Sequence, residues 1–412
     1  MFNTLVTFEY SATTANARAI WLAIGIGVVA LAVAMGIGRF AFTPLLPLML
    51  RDGTMSAPTG AEWAAANYAG YLIGALSASR FSLNPRLGLS LGLCGVALTT
   101  LAGAFVDGAS MALPGAVLRA AAGVFSAWVL VCASSWCLAE LARRRAANLG
   151  AWVYTGVGLG IALTGMLAWL GGRQSAKSLW LELAAAALLG TFAVFALLRS
   201  QRGNGPHLAR DPSPLVPEDR AGRASLPLVL CYGTFGFGYI VPATFLPAMA
   251  REQVSDPLVF GLTWPIFGLA AALSVGAAAR LLSGWPRRRV WSLAQGTMAL
   301  GTALPLATKS LWGLAASAVF VGGTFMVATM AGLQLAREQC PSNPTPLLAR
   351  MTVAFAVGQI AGPLVVRLLS SGRWAGWDAF ALTNALATVL LGVTAVWLWH
   401  GTSHGPGAEL VR

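Results

Sequence analysis

Apolar residues run in long stretches along this chain, and polar residues collect in the short breaks between them. Several stretches exceed the roughly 20 residues that a helix needs to cross about 30 Å of hydrocarbon. Twelve helical spans can be laid down, at 19–50, 61–82, 86–107, 111–140, 146–170, 177–199, 225–251, 257–283, 288–308, 310–337, 346–371 and 375–399. The connections are short except at 200–224, where Gly203, Gly205, Pro206, Pro212, Pro214 and Pro217 mix with charged residues and defeat helix formation. The pattern predicts an all-α membrane protein: a bundle of six helices over 1–199, a cytoplasmic linker over 200–224, and a second six-helix bundle with a short tail over 225–412.

The two halves repeat each other at one offset. Gly36, Gly38, Leu46, Pro47, Met49 and Arg51 return as Gly236, Gly238, Leu246, Pro247, Met249 and Arg251. Arg80 corresponds to Arg280, Gly123 to Gly323 and Gly158 to Gly358. A shared offset of 200 residues across several spans points to an old duplication and a pseudo-symmetric pair of bundles.

Composition agrees with the pattern. The 412 residues are 57% hydrophobic and 10% charged, with a mean hydropathy of +0.70, far outside the range of soluble domains. A net charge of +13 invites a nucleic-acid reading, but the basic residues lie in loops, where they orient spans, and nucleic acid is not expected as a partner. With the N-terminus inside, 18 of the 27 Lys and Arg residues face the cytoplasm and six face outward, so both termini are expected in the cytoplasm. The first run is too long for a signal-peptide core and is expected to stay as a helix. Cys94, Cys132, Cys137, Cys231 and Cys340 are scattered without metal-ligand or disulfide spacing. No cofactor, metal or catalytic residue is expected, and His207, His400 and His404 lie in loops or tail.

Twelve spans in two halves joined by a polar linker resemble the major facilitator superfamily. Arg119-Ala-Ala-Ala-Gly123 in span four is similar to that superfamily's Arg-x-x-x-Gly signature. Gly156, Gly158, Gly160 and Gly165 only partly match its span-five glycine motif, and Gly74-Ala-Leu-Ser-Ala-Ser-Arg80 lacks the usual Asp between spans two and three. More narrowly, the chain resembles the YbfB/YjiJ-type transporters through Gly36-Ile-Gly-Arg-Phe-Ala-Phe-Thr-Pro-Leu-Leu-Pro47, Tyr232 to Pro247, Trp264-Pro-Ile-Phe-Gly-Leu-Ala270, Gly322 to Gln334 and Gly358-Gln-Ile-Ala-Gly-Pro363. The resemblance implies the superfamily fold, a bacterial inner membrane and a central cavity lined by spans 1, 4, 7 and 10, and it brings no agreed substrate.

Within those spans, charge is rare. Arg39 is the single charge between Ile20 and Leu50, and a guanidinium at membrane depth needs a reason. Gly36, Arg39 and Thr43 share one helical face, and Pro44 and Pro47 free carbonyls that lipid cannot satisfy. Arg119 lies twelve residues inward from Asp107, as Arg39 does from Arg51, so each sits about 18 Å along its helix from the outer end. Two guanidiniums at one level without a carboxylate make a pocket for an anion held by paired hydrogen bonds. Against that stands a structural role for Arg119, on the carbonyls of a broken neighbouring helix with Gly123 allowing close approach.

The facing half offers hydroxyl, amide and aromatic groups: Tyr239 at the repeat position of Arg39, then Thr244, Thr324, Thr329 and Gln334. Asn67, Tyr68 and Tyr71 of span two, Trp264 of span eight and Gln359 of span eleven form a second tier. Met326 and Met330 read as core filler, and Arg367 as a residue snorkelling to the outer face. Glu62, Asp107, Glu182, Asp256 and Asp378 all fall at span ends, where pairing with bases such as Arg51 or Lys177 is expected and proton coupling is not.

Together these features predict a transporter rather than an enzyme. It is expected to act as a monomer in the lipid bilayer and to move a small organic anion by alternating access, by secondary active or facilitative transport. The alternative is efflux of hydrophobic, drug-like compounds, which 15 Trp residues could serve. A sensor or scaffold would need a soluble domain that the pattern does not contain.

Overall fold

The computed structural model describes residues 2–200 and 226–401, apart from 82, 255, 283, 309, 341–344 and 373–375. The expected linker at 200–224 lies outside the described residues save Ser200, as do His207 and His404. Among the described residues, thirteen helices carry the fold: α1 (Phe2–Leu31), α2 (Phe42–Arg51), α3 (Ala57–Ser77), α4 (Pro85–Gly103), α5 (Ala112–Arg143), α6 (Thr155–Leu170), α7 (Ala176–Ser200), α8 (Leu226–Gln253), α9 (Thr263–Leu281), α10 (Arg287–Ala307), α11 (Leu311–Gln339), α12 (Thr345–Leu369) and α13 (Ala379–His400). The first expected span is built from α1, a π-helical segment Ala32–Arg39, and α2.

Ten helices among the described residues are long and apolar enough to cross a membrane. Two of the twelve expected spans correspond to α3 and α10, each 21 residues long and outside those ten. Large apolar side chains point outward around the bundle, among them Phe192 (72% exposed), Leu273 (65%) and Trp312 (86%). In water such a surface would drive association; in lipid it is the solvated face.

The caps follow the sequence closely. Ser56, Asn84, Ser310 and Asp378 each accept a bond from a backbone N–H in the first turn of the helix they open, at Thr59, Leu87, Gly313 and Ala381. Pro58 and Pro85 sit in the first turns of α3 and α4, where a missing N–H costs nothing.

Burial is uneven along the central helices. Every residue from Val33 to Met49 and from Phe235 to Ala248 is buried, so these stretches are enclosed by protein on all sides, whereas exposed or half-buried residues recur from Asn16 to Ala32 and from Leu226 to Thr234. The hydrogen bonds joining residues 2–200 to 226–401 follow the same division. They run from Arg39 to Gln359, Thr43 to Ala243, Tyr68 to Thr244, Trp169 to Leu258 and Arg367 to Glu62, all between the Arg39 level and the end that carries Arg51. The bundle is therefore closed at the Arg51 end.

Ion pairing at that end differs from expectation. Arg51 pairs with its neighbour Asp52 at 2.7 Å and donates to the carbonyls of Gly172 and Gln174, and Lys177 lies over the Phe105 ring. Neither takes Glu62, whose partner is Arg367 at 2.7 Å. Sequence distance hid this pair, because α3 and α12 meet only in the folded bundle. Both side chains are nearly half exposed, so the pair contributes only about 0–1 kcal/mol. It nevertheless spans the closed end. We predict that Glu62→Arg or Arg367→Glu raises the labelling rate of a cysteine at Ala243 by up to about fivefold, and that the exchanged pair, Glu62→Arg with Arg367→Glu, returns it to the starting value. Impermeant thiol reagents on a cysteine-free background provide the measurement.

Candidate functional site

The break in the first span builds the site. From Ala32 to Arg39 the helix widens by one residue per turn, and the Phe40 N–H reaches back to the Met35 carbonyl at 3.0 Å. Thr43 N–H then bonds the Phe40 carbonyl at 3.2 Å. Residue 44 is proline, so the Arg39 carbonyl has lost both of the amide donors that a regular or a widened turn would supply. The wide turn fits because α6 presents no side chain there: a Cβ on Gly36 would come within 2.6 Å of the Gly160 carbonyl oxygen, and one on Gly160 within 2.5 Å of the Ala32 oxygen.

Arg119 fills the gap. Its Nη2 donates to the Arg39 carbonyl at 3.1 Å and its Nη1 approaches the Gly38 carbonyl at 3.4 Å, so the two arginines do lie at one level. Its guanidinium also lies over the Phe42 ring, 4.9 Å from the centroid. The backbone carbonyl of Arg119 accepts from Asn67 Nδ2 at 2.8 Å. Close contact of α5 with α3 depends on Gly123, where a Cβ would lie 2.7 Å from the Tyr71 backbone nitrogen.

Arg39 is placed differently. It is 3% exposed and points toward α12, where its Nη2 donates to Gln359 Oε1 at 2.6 Å. Gln359 in turn donates from Nε2 to the Tyr239 hydroxyl. Thus Gln359, a second-tier residue by sequence, is the bridge between Arg39 and its repeat partner Tyr239. The guanidinium plane is covered by Tyr71 at 4.0 Å, with the rings of Tyr68 and Phe40 at 5.3 and 5.2 Å. Its Nε, on the same edge as Nη2, is buried without an acceptor. Among the described residues neither Arg39 nor Arg119 has a carboxylate partner.

The remaining expected residues divide into two groups. Thr43 donates to the Ala243 carbonyl at 2.9 Å, Tyr68 and Thr244 share a bond of 2.8 Å, and Trp264 lies fully buried against Phe267 and Phe40. These stand with Arg39, Arg119, Asn67, Tyr71, Tyr239 and Gln359. Thr324 and Gln334 do not join them. Thr324 bonds its own helix at the Phe320 carbonyl, 2.6 Å away, and faces a groove with Ser274 and Thr297. Gln334 is half-buried farther along α11, about 14 Å from the level of Phe325.

Sequence reasoning missed the aromatic wall. Tyr239 lies parallel between Phe325 and Phe355, with centroids 5.4 and 5.6 Å away at 6° and 8°. The row continues from Phe325 to Phe267 and Trp264. An available signal was Phe355, four residues before Gln359 and so on the same helical face. Glu140 was also missed as a buried acid. It is 1% exposed and held by Arg143 and Arg144, both at 2.6 Å, at the far end of α5.

The chain matches the model of one protein family over residues 31–397, described as "Uncharacterised MFS-type transporter YbfB". The protein belongs to this family. Its fold is that of the major facilitator superfamily, as two solved structures illustrate. A mutant of the nucleoside transporter NupG aligns at 13% identity over 92% of this chain and 99% of that one, with a TM-score of 0.70. A D-xylose-proton symporter aligns at 12% identity over 93% and 97%, with a TM-score of 0.71. At such identities the likeness is one of fold. No curated protein matches the chain. As a member of this family the protein is a multi-pass membrane transporter and not an enzyme.

Removing the bridge tests the bonding scheme. Gln359→Leu leaves Arg39 Nη2 buried without an acceptor and should cost about 1–3 kcal/mol, read as a lower thermal midpoint in detergent. Glu at the same position would supply a counter-charge and should restore the midpoint.

Proposed function

We propose that this family member moves a small organic anion across the bacterial inner membrane by alternating access of two six-helix halves, with both termini in the cytoplasm and Arg39 as the anion's principal ligand. One observation carries the reading. The Nε/Nη2 edge of Arg39 is buried, has no carboxylate partner, and is half-filled: Nη2 has a neutral amide oxygen and Nε has nothing. A carboxylate or phosphate oxygen pair satisfies both donors and the charge at once. The Nε of Arg119 is likewise buried without an acceptor, but both of its Nη atoms are committed to the backbone carbonyls of the broken span, where the Nη2 of Arg39 holds an exchangeable side-chain amide; the role assigned to Arg119 is to hold that break and add positive potential.

The same edge links binding to movement. Gln359 connects the Arg39 side to α12 and α8, so an anion that takes over the edge releases that link between the halves. With the Arg51 end closed, access in this state is from the end carrying Arg18 and Arg143, which the distribution of basic residues assigns to the cytoplasm. Glu140, the buried acid, lies about 31 Å along α5 from Arg119 and is neutralised by two arginines. Exchange, facilitated diffusion, or symport of a protonated substrate fits this arrangement better than a mid-membrane acid. The similar proteins named for nucleoside and D-xylose transport support a small polar cargo and do not favour efflux of hydrophobic compounds, which the buried cations would also oppose where the compound is cationic.

Counterflow in proteoliposomes with labelled mono- and dicarboxylates and phosphate esters tests the proposal. Arg39→Gln is expected to abolish exchange of the transported anion. Arg39→Lys should lower it at least about tenfold, since an ammonium keeps the charge but loses the planar edge. Wild-type exchange in Arg39→Gln would overturn the assignment. Independently, Glu62→Gln, Asp107→Asn and Glu182→Gln, tested singly, should leave exchange intact, because acids at span ends lack the low-dielectric setting of a proton carrier.

A further inference from the structure

We infer that the anion is an arylcarboxylate, with a flat aromatic ring as well as a charge; this rests on the anion reading above. Most of the side-chain hydroxyls that would recognise a polyol are already spent. Thr43 is bonded to the Ala243 carbonyl, Tyr68 and Thr244 to each other, and the Tyr239 hydroxyl accepts from Gln359. Apart from Asn67 Oδ1 and the Trp264 indole N–H, both unpartnered, what remains around Arg39 is aromatic surface. Tyr239, Phe325 and Phe355 form a near-parallel stack, and Phe325 passes it on to Phe267 at 5.7 Å and 26°, then to Trp264 at 4.8 Å and 16°.

This row comes from four helices, α8, α9, α11 and α12, and Phe40 of the first span closes on Trp264 at 6.2 Å. Rings held in offset-parallel register on separate helices select a flat aromatic guest over a puckered one of equal volume. Phe355 is half-buried where Tyr239 and Phe325 are buried, and its other neighbours, Tyr232 and Phe235, meet it at 5.2 Å each but tilted by 37° and 42°, so the parallel part of the stack ends at Phe355. It is also one helical turn from Gln359, whose amide is the size and shape of a carboxylate and holds one of the two donors on the Arg39 edge. A carboxylate replacing that amide carries its ring to the end of the stack. The indole N–H of Trp264, fully buried and without a partner, offers a further donor at the same level.

Three probes of similar size separate the possibilities by equilibrium binding to the purified full-length protein: benzoate, cyclohexanecarboxylate and benzamide. Benzoate is expected to bind about fivefold or more tighter than cyclohexanecarboxylate, and benzamide not to bind. Phe355→Leu should remove that preference; Phe355→Tyr should keep it and serves as the folding control. Arg39→Gln should lose both acids. Equal affinity for benzoate and cyclohexanecarboxylate would overturn the aryl assignment and leave the anion reading standing. Benzamide matching benzoate, or benzoate binding undiminished in Arg39→Gln, would overturn the anion reading as well. Failure of both benzoate and naphthoate to bind at millimolar concentration would overturn the arylcarboxylate proposal.

Discussion

A broken helix in hydrocarbon must find partners for the backbone groups it frees, and that constraint organises this molecule. The widened turn from Ala32 to Arg39, followed by Pro44, strips the Arg39 carbonyl of its intrahelical donors. An unpaired carbonyl in a lipid-like interior costs several kcal/mol. Arg119 supplies the missing donors from α5, and Asn67 ties the Arg119 carbonyl to α3. Three helices are thereby locked at one depth, and the side chain of Arg39 is left to leave the break in the direction of α12.

The two arginines illustrate how one residue type serves two purposes under the same electrostatic cost. Both are buried, at 3% and 6% exposure, and both lack a carboxylate among the described residues. The positive charge is distributed over what surrounds it: carbonyl dipoles for Arg119, aromatic faces and one amide oxygen for Arg39. A cation held only by neutral groups keeps affinity in reserve for an anion, in a way that a salt-bridged one does not. Charge-neutral partners also leave the helices free to part, since no strong ion pair has to be broken at the centre.

The closed end depends on weaker terms. Trp169 donates to the Leu258 carbonyl, Arg367 meets Glu62, and Thr43 and Tyr68 each reach a partner on α8. Each contributes on the order of 1 kcal/mol. Several such contacts suffice to hold a state and remain easy to exchange for another, which suits a molecule whose family moves cargo across a membrane.

The spans, the all-helical class and the isolated charge at Arg39 were legible in the chain because each is a one-dimensional property: a run of apolar residues long enough for the bilayer, and one charge where charge is costly. Two roles needed the tertiary structure. Arg119 had either a ligand or a carbonyl to hold, and only the position of the first span beside α5 directs its Nη atoms to the backbone. Gln359 looked like one polar residue among several, yet the packing of α12 against α8 makes it the bridge from Arg39 to Tyr239. Thr324 and Gln334 satisfied the same composition rule and fell elsewhere, because the rotation of a helix about its axis is set by packing against neighbours and not by its own sequence. The aromatic stack escaped notice for the same reason: its rings are far apart in the chain, and their parallel planes exist only once four helices have docked.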